Sequence, residues 1–123
     1  MNHIVYNAIR TPDGTVIESR TRHDYVTHTD KNGKEYSVDG GVDYLRGSTK
    51  DCTELHIYSD DPHVDVREVF RWGTYGVDGK AKLRYVLLKD LSTEHIEAIL
   101  NTVTFLPEWR QDIFKAELLY RRD

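Results

Sequence analysis

The stretch from Leu91 to Tyr120, LSTEHIEAILNTVTFLPEWRQDIFKAELLY, decides the fold class. Ser92 is a good N-cap because its hydroxyl can accept a hydrogen bond from a free backbone N–H, and Glu94 follows in the positive first turn. Ile96, Ile99, Leu100 and Val103 then recur at helical spacing, which gives one apolar stripe to lay on a sheet. Pro107 suits the first position of a second helix, where its missing N–H costs nothing. Beyond it Trp109, Ile113, Ala116 and Tyr120 form one stripe, widened by Phe114 and Leu118. The pattern predicts helices over residues 92–103 and 107–121.

Working outward, residues 3–88 read as strands and turns. Ile4 to Arg10 and Thr15 to Arg22 flank Thr11-Pro12-Asp13-Gly14, with Pro and Gly in favoured turn positions. Tyr25 to Thr29 and Lys34 to Val38 flank Asp30-Lys31-Asn32-Gly33, a second hairpin signal. Asp39-Gly40-Gly41 breaks the sheet, and Val42 to Lys50 reads as loop or a short helical turn. Leu55 and Ile57 alternate with polar neighbours up to Tyr58, the period of a half-buried strand, and Asp60-Asp61-Pro62 ends it. Val64, Val66, Phe70 and Trp72 share one face of a further strand if the segment is extended; Glu68 breaks that pattern and leaves a short helix as the alternative. Val77-Asp78-Gly79-Lys80 turns into Ala81 to Leu88, where Ala81, Leu83, Tyr85 and Leu87 share a face. Strands followed by helices predict a single α+β domain over 1–123, an antiparallel meander of about six or seven strands and then two helices.

The totals narrow the function classes. A chain of 123 residues with 38% apolar and 31% charged side chains supports a modest core under a strongly hydrated surface. Its formal net charge of −4 argues against a general nucleic-acid binder, which gains affinity by releasing counterions from a basic footprint. Cys52 is the only cysteine, which excludes an internal disulfide and fits a reducing cytoplasm. The start, Met1-Asn2-His3-Ile4-Val5, has no basic region followed by an apolar run, so no signal peptide is expected. The apolar runs are too short to cross a bilayer, and no membrane partner is expected.

Chemistry concentrates in Phe70-Arg71-Trp72-Gly73-Thr74-Tyr75-Gly76-Val77-Asp78-Gly79-Lys80. Aromatic faces can sandwich a flat ring, arginine can grip phosphate oxygens in a bidentate fork, and glycines let a backbone approach a ligand. Phe70 and Trp72 read equally well as core. Arg110, in the first turn of the second helix, lies against the helix dipole, which points to an anion or to pairing with Glu108, Asp112 or a neighbouring chain. Arg22 and His23, with Arg20, form a basic cluster that reads as a phosphate contact or as a solvated strand face. His28, His56 and His63 lack the tight spacing that zinc requires, so no metal is expected. Cys52 with His56 lacks a third orienting group, which favours a buried thiol over a nucleophile. No cofactor is implied, and the absence of a nucleophile–base–orienter set predicts a holder and not an enzyme.

Several pieces together resemble one phage family. They are Ile9-Arg10-Thr11-Pro12-Asp13-Gly14-Thr15, Arg22-His23-Asp24-Tyr25-Val26, Tyr36-x-Val38-Asp39-Gly40-Gly41, Asp43-Tyr44-Leu45-Arg46, Trp72-Gly73-Thr74-Tyr75-Gly76 and the helical stretch Leu91 to Arg121. The set is similar to the first Thoeris anti-defence family, small phage proteins that sequester a cyclic ADP-ribose isomer made by bacterial TIR-domain enzymes. The resemblance implies an antiparallel sheet with two helices, a homo-oligomer (a dimer or a trimer of dimers) and ligand pockets between subunits in the host cell cytoplasm. It also implies a separate site for cyclic trinucleotides in the hexamer. Carried to matching positions, Phe70 would stack on the base, Arg110 would contact phosphate, and Asn101 would meet a base edge. Arg22, His23 and Arg71 join the candidates on chemistry alone, and Trp72 as a second aromatic face.

The expected function is therefore capture of a cyclic nucleotide immune signal without cleavage, which would block Thoeris-type immunity and, through the second site, CBASS-type immunity. Two other classes remain on sequence grounds: a small nucleotide hydrolase using His23 or His95, and a single-stranded nucleic-acid module using the aromatic strand as a stacking platform.

Overall fold

A computed structural model describes residues 2–76 and 79–122. The chain forms two compact units, Met1–Asp60 and Asp61–Asp123. The fold class is α+β: short antiparallel strands, one helix among them and two helices at the C-terminal end.

The first unit holds β1 (Ile4–Tyr6), β2 (Ala8–Arg10), β3 (Val16–Glu18), β4 (Val26–Thr29), β5 (Glu35–Asp39), β6 (Arg46–Gly47), β7 (Thr53–Glu54) and β8 (Ile57–Tyr58). Instead of one continuous meander they make three small sheets, β1–β8, β3–β2–β7 and β4–β5–β6. Both expected hairpins form. Ile9 faces Ile17 across β2–β3, and His28 faces Tyr36 across β4–β5. Their turns use glycine at positive φ, Gly14 at 87° and Gly33 at 82°. Ile9, Ile17, Tyr36 and Val38 pack into the core of this unit, with Val26 and Cys52 against it.

Further expectations fail here: Ile4 to Arg10, read as one strand, splits at Asn7 into β1 and β2, which belong to different sheets. The segment Thr15 to Arg22 is strand only as far as Glu18, because Thr21 to Asp24 closes a turn with Asp24 N–H donating to Thr21 O at 3.0 Å. The loop reading of Val42 to Lys50 misses β6, which adds to the edge of β5 with Asp39 opposite Arg46. The sheet break at Asp39-Gly40-Gly41 does form. A Cβ on Gly41 (φ 53°) would stand 2.2 Å from the Thr21 carbonyl carbon, so the turn at Thr21 presses directly on this backbone.

The second unit holds α1 (His63–Val69), β9 (Arg71–Thr74), β10 (Arg84–Leu87), a 3-10 turn (Leu88–Asp90), α2 (Thr93–Thr102) and α3 (Glu108–Arg122). The extended reading of Val64 to Trp72 is wrong over most of its length, and the helical alternative holds to Val69. Val66 and Phe70, one helical turn apart, are both buried, while Val64 stands 52% exposed. The shared face of Ala81, Leu83 and Tyr85 does not reach a core either: Leu83 and Tyr85 are exposed, and the strand begins only at Arg84. Val77 and Asp78 of the expected turn lie outside the described residues.

Both C-terminal helices match their expected bounds to within a residue or so. The Ser92 hydroxyl accepts the His95 N–H at 3.1 Å, and Ile96 and Ile99 of the expected stripe are buried, while Val103 caps the helix and is exposed. On α3 the buried side chains are Ile113, Phe114 and Glu117. Among the described residues no helix is long and apolar enough to cross a membrane.

Candidate functional site

The second unit brings together three residues that sequence alone could only nominate separately. Phe70 ends α1, its N–H donating to Val66 O at 2.9 Å and its carbonyl accepting from Leu88 N–H at 2.8 Å. Both backbone groups are thereby fixed. Its ring meets Phe114 edge-on at 5.6 Å, and Trp72, two residues further along β9, meets the same Phe114 edge-on at 5.4 Å. Such T-shaped pairs set the positive edge of one ring against the negative face of another.

Arg110 closes this cluster from the first turn of α3. Its guanidinium carbon lies 4.7 Å from the Trp109 ring centre and 5.7 Å from that of Phe70. The two π-faces give the cation part of what its place near the positive end of the helix denies it. Arg110 and Trp109 are both half-buried, so packing holds the cation in place. A planar fork fixed in this way is suited to two oxygens of one phosphate.

Phe70 itself is 3% exposed, so in a single chain it is a core side chain without an open face for a base. Trp72 is half-buried and keeps part of its surface. Arg71, also half-buried, follows Phe70 on β9 and stands opposite Leu87 of β10. At Gly73 of this strand an added Cβ would meet Tyr85 Cε1 at 3.2 Å and Leu83 Cδ1 at 3.3 Å. Neighbouring side chains already cover that space. Asn101 is an exposed side chain on α2.

Arg22 and His23 belong to the first unit and sit exposed at the centre of the Thr21–Asp24 turn. Arg20 does not share a strand face with Arg22; it pairs instead with Glu18 at 2.7 Å. His28 pairs with Asp13 at 2.8 Å. Among the described residues no group of three or more His, Cys, Asp or Glu side chains could hold a metal ion. Burial raises the Cys52 thiol pKa above its ordinary value, which keeps it protonated and a poor nucleophile.

One charged cluster was not anticipated. Glu117 is fully buried on α3 and takes hydrogen bonds from both nitrogens of an Arg67 fork at 2.9 Å and from Arg121 Nε at 2.7 Å, with His63 Nε2 at 2.9 Å. Burial alone would raise its pKa, but the bonds from Arg67, Arg121 and His63 outweigh it and hold the carboxyl at about 2. Arg121 also donates to Leu88 O and Thr93 Oγ1, both at 3.1 Å, and Arg67 lies over the Tyr120 ring at 4.3 Å. The charges are spent on one another, so this is a structural knot joining α1, α3 and the start of α2. Its only sequence signal is a carboxylate at position 117 inside the apolar stripe of Ile113 and Phe114.

Comparisons with protein-family models, with curated proteins and with solved structures return no significant match.

Proposed function

We propose that this protein captures a cyclic nucleotide signal, an isomer of cyclic ADP-ribose, and holds it without cleaving it. The observation that carries the reading is the Arg110 guanidinium, laid on Trp109 and Phe70, with Trp72 and Phe70 meeting the same Phe114 ring. A fixed cation among flat rings matches a ligand that joins phosphates to a base. In this reading Phe70 stiffens Arg110 from below, and the half-buried indoles of Trp72 and Trp109 supply the planes that meet the base.

Magnitudes agree with sequestration. A ligand of that size, at about 0.3 kcal/mol per heavy atom, gains on the order of 10 kcal/mol, which is near-nanomolar affinity. A trap that removes one molecule per site needs such affinity and a slow release. Association between copies completes the reading. Phe105 is 95% exposed, and Leu119 (60%) and Tyr120 (44%) add apolar surface that a dimer or a trimer of dimers would bury. The resemblance to the Thoeris anti-defence family extends the proposal to phage counter-defence in the host cytoplasm, with cyclic trinucleotides as a second ligand of the hexamer.

Calorimetric titration with the cyclic ADP-ribose isomer tests this. Tight binding that weakens at least tenfold in Arg110→Ala, with a melting temperature lowered by no more than a few degrees, supports the reading; equal affinity in the variant rejects the site.

A further inference from the structure

The first unit contains a cavity of about 320 Å³, at the lower end of the range for small-molecule clefts, roughly 300–1,000 Å³. Its apolar walls are Ile9, Val38 and Leu45, and Asn7 and His56 supply polar lining. These two residues also carry the buried side-chain atoms that lack a hydrogen-bond partner among the described residues, Asn7 Oδ1 and His56 Nδ1. Leaving a buried polar atom unpaired is costly, and such atoms in native proteins usually mark a function or a missing partner. To find both in the lining of one cavity is the unusual feature.

What each atom needs follows from its surroundings. Asn7 is 1% exposed, and its amide nitrogen already donates to the carbonyls of Asp39 and Gly41 at 2.9 Å and of Tyr44 at 3.3 Å. That bonding fixes which end of the amide is oxygen, so Oδ1 can only accept and requires an N–H or O–H donor. Burial pushes the His56 ring below the ordinary histidine pKa, against a smaller upward pull from Glu54, and so favours the neutral imidazole. A neutral ring offers Nδ1 as donor or acceptor according to tautomer. Charge is balanced around the cavity. Arg46 is committed to Asp39 and lies over the Tyr44 ring at 5.5 Å, and Glu54 supplies the opposite sign. An anion gains nothing specific here.

We infer that this cavity binds an uncharged, nucleobase-sized nitrogen heterocycle, whose exocyclic amine donates to Asn7 Oδ1 and whose ring nitrogen pairs with His56 Nδ1 between the side chains of Ile9, Val38 and Leu45. The site lies wholly within residues 1–60 and is separate from the Arg110 cluster.

Adenine and unsubstituted purine, which differ by the exocyclic amine, are the probes, read by heteronuclear NMR of the full chain. Adenine is expected to give saturable shifts at the Asn7 side-chain amide and the His56 ring, with purine about tenfold weaker for want of the donor. Leu45→Trp, at a side chain 37% exposed on the cavity wall, should abolish the shifts. His56→Leu should weaken adenine about tenfold in a well-dispersed spectrum, which keeps the test decisive if the tryptophan disturbs the fold. No saturable shift at Asn7 and His56, equal binding of the two probes, or adenine binding indifferent to both cavity variants overturns the inference and leaves only a water-filled hollow. None of those results touches the Arg110 reading, which has its own titration.

Discussion

The two units of this chain are pinned by opposite chemistry. In residues 1–60 small neutral side chains replace missing sheet bonds. Asn7 Nδ2 holds the carbonyls of Asp39, Gly41 and Tyr44, while Ser19 Oγ donates to Asp24 O at 2.6 Å and accepts from Gly41 N–H at 2.9 Å. In residues 61–123 the comparable place belongs to a buried carboxylate, Glu117, gripped by Arg67, Arg121 and His63. Short strands leave backbone groups to satisfy, and an amide or hydroxyl does that at any pH. Helices satisfy their own backbone, so what remains is to lock them to each other, and a multiply bonded charge does so with direction. The first unit has a charged pair as well, Asp39 with Arg46, but the Arg46 side chain is 70% exposed and water screens it.

The sharpest way to break this contrast is Glu117→Ala. Removing one member of a buried ion cluster leaves the others unpaired, and a loss of about 3–5 kcal/mol is expected. Trp72 and Trp109 are the only tryptophans, and both lie in the second unit, so indole emission follows that unit alone. The denaturant midpoint read by emission should fall steeply; an unchanged midpoint would mean that the knot is ornamental.

Acid is the next lever. Glu117 has its carboxyl lowered from 4.5 to about 2, so the unfolded chain takes up the proton first. Its contribution is complete above pH 4.5, declines as pH falls, and is gone near pH 2, a loss of about 3 kcal/mol. Emission-detected stability should follow that slope in the wild type and flatten in Glu117→Gln.

Asn7→Ala should cost less, roughly 2 kcal/mol, by orphaning carbonyls that water reaches poorly. Hydrogen exchange should quicken around residues 39–44 while indole emission stays as it was. A simultaneous shift of both signals would show that the units do not respond separately. The smallest stability effect belongs to Arg110→Ala, about 0.5–1 kcal/mol for the lost cation–π contacts. Phe70→Ala, by contrast, empties a core position and should cost about 3–5 kcal/mol. These two variants separate ligand contact from support.

How far the sequence foretold this differs between the units for the same reason. Helical periodicity and the Ser92 cap are local signals, and α2 and α3 stand where those signals put them. At Val64 to Trp72 an alternating and a helical pattern overlap, and burial of Val66 together with Phe70 chose the helix. Glu117 carried no signal of its role because His63 and Arg67 stand 54 and 50 residues away along the chain. Asn7 was silent because the carbonyls it holds come from a turn more than 30 positions later. Of the candidate site, the residue types at Phe70, Trp72 and Arg110 were readable. That Arg110 would lie over Phe70 was not, since two non-adjacent elements create the contact. Arg22 and His23 looked close in kind to that site but belong to the other unit.

Capture without cleavage can be read by loading the protein with the cyclic ADP-ribose isomer, denaturing it and analysing the released molecule by mass spectrometry. Intact ligand is expected, in an amount that saturates with protein and falls at least tenfold for Arg110→Ala. Linear or hydrolysed product accumulating beyond the number of protein chains would contradict it and make the protein an enzyme.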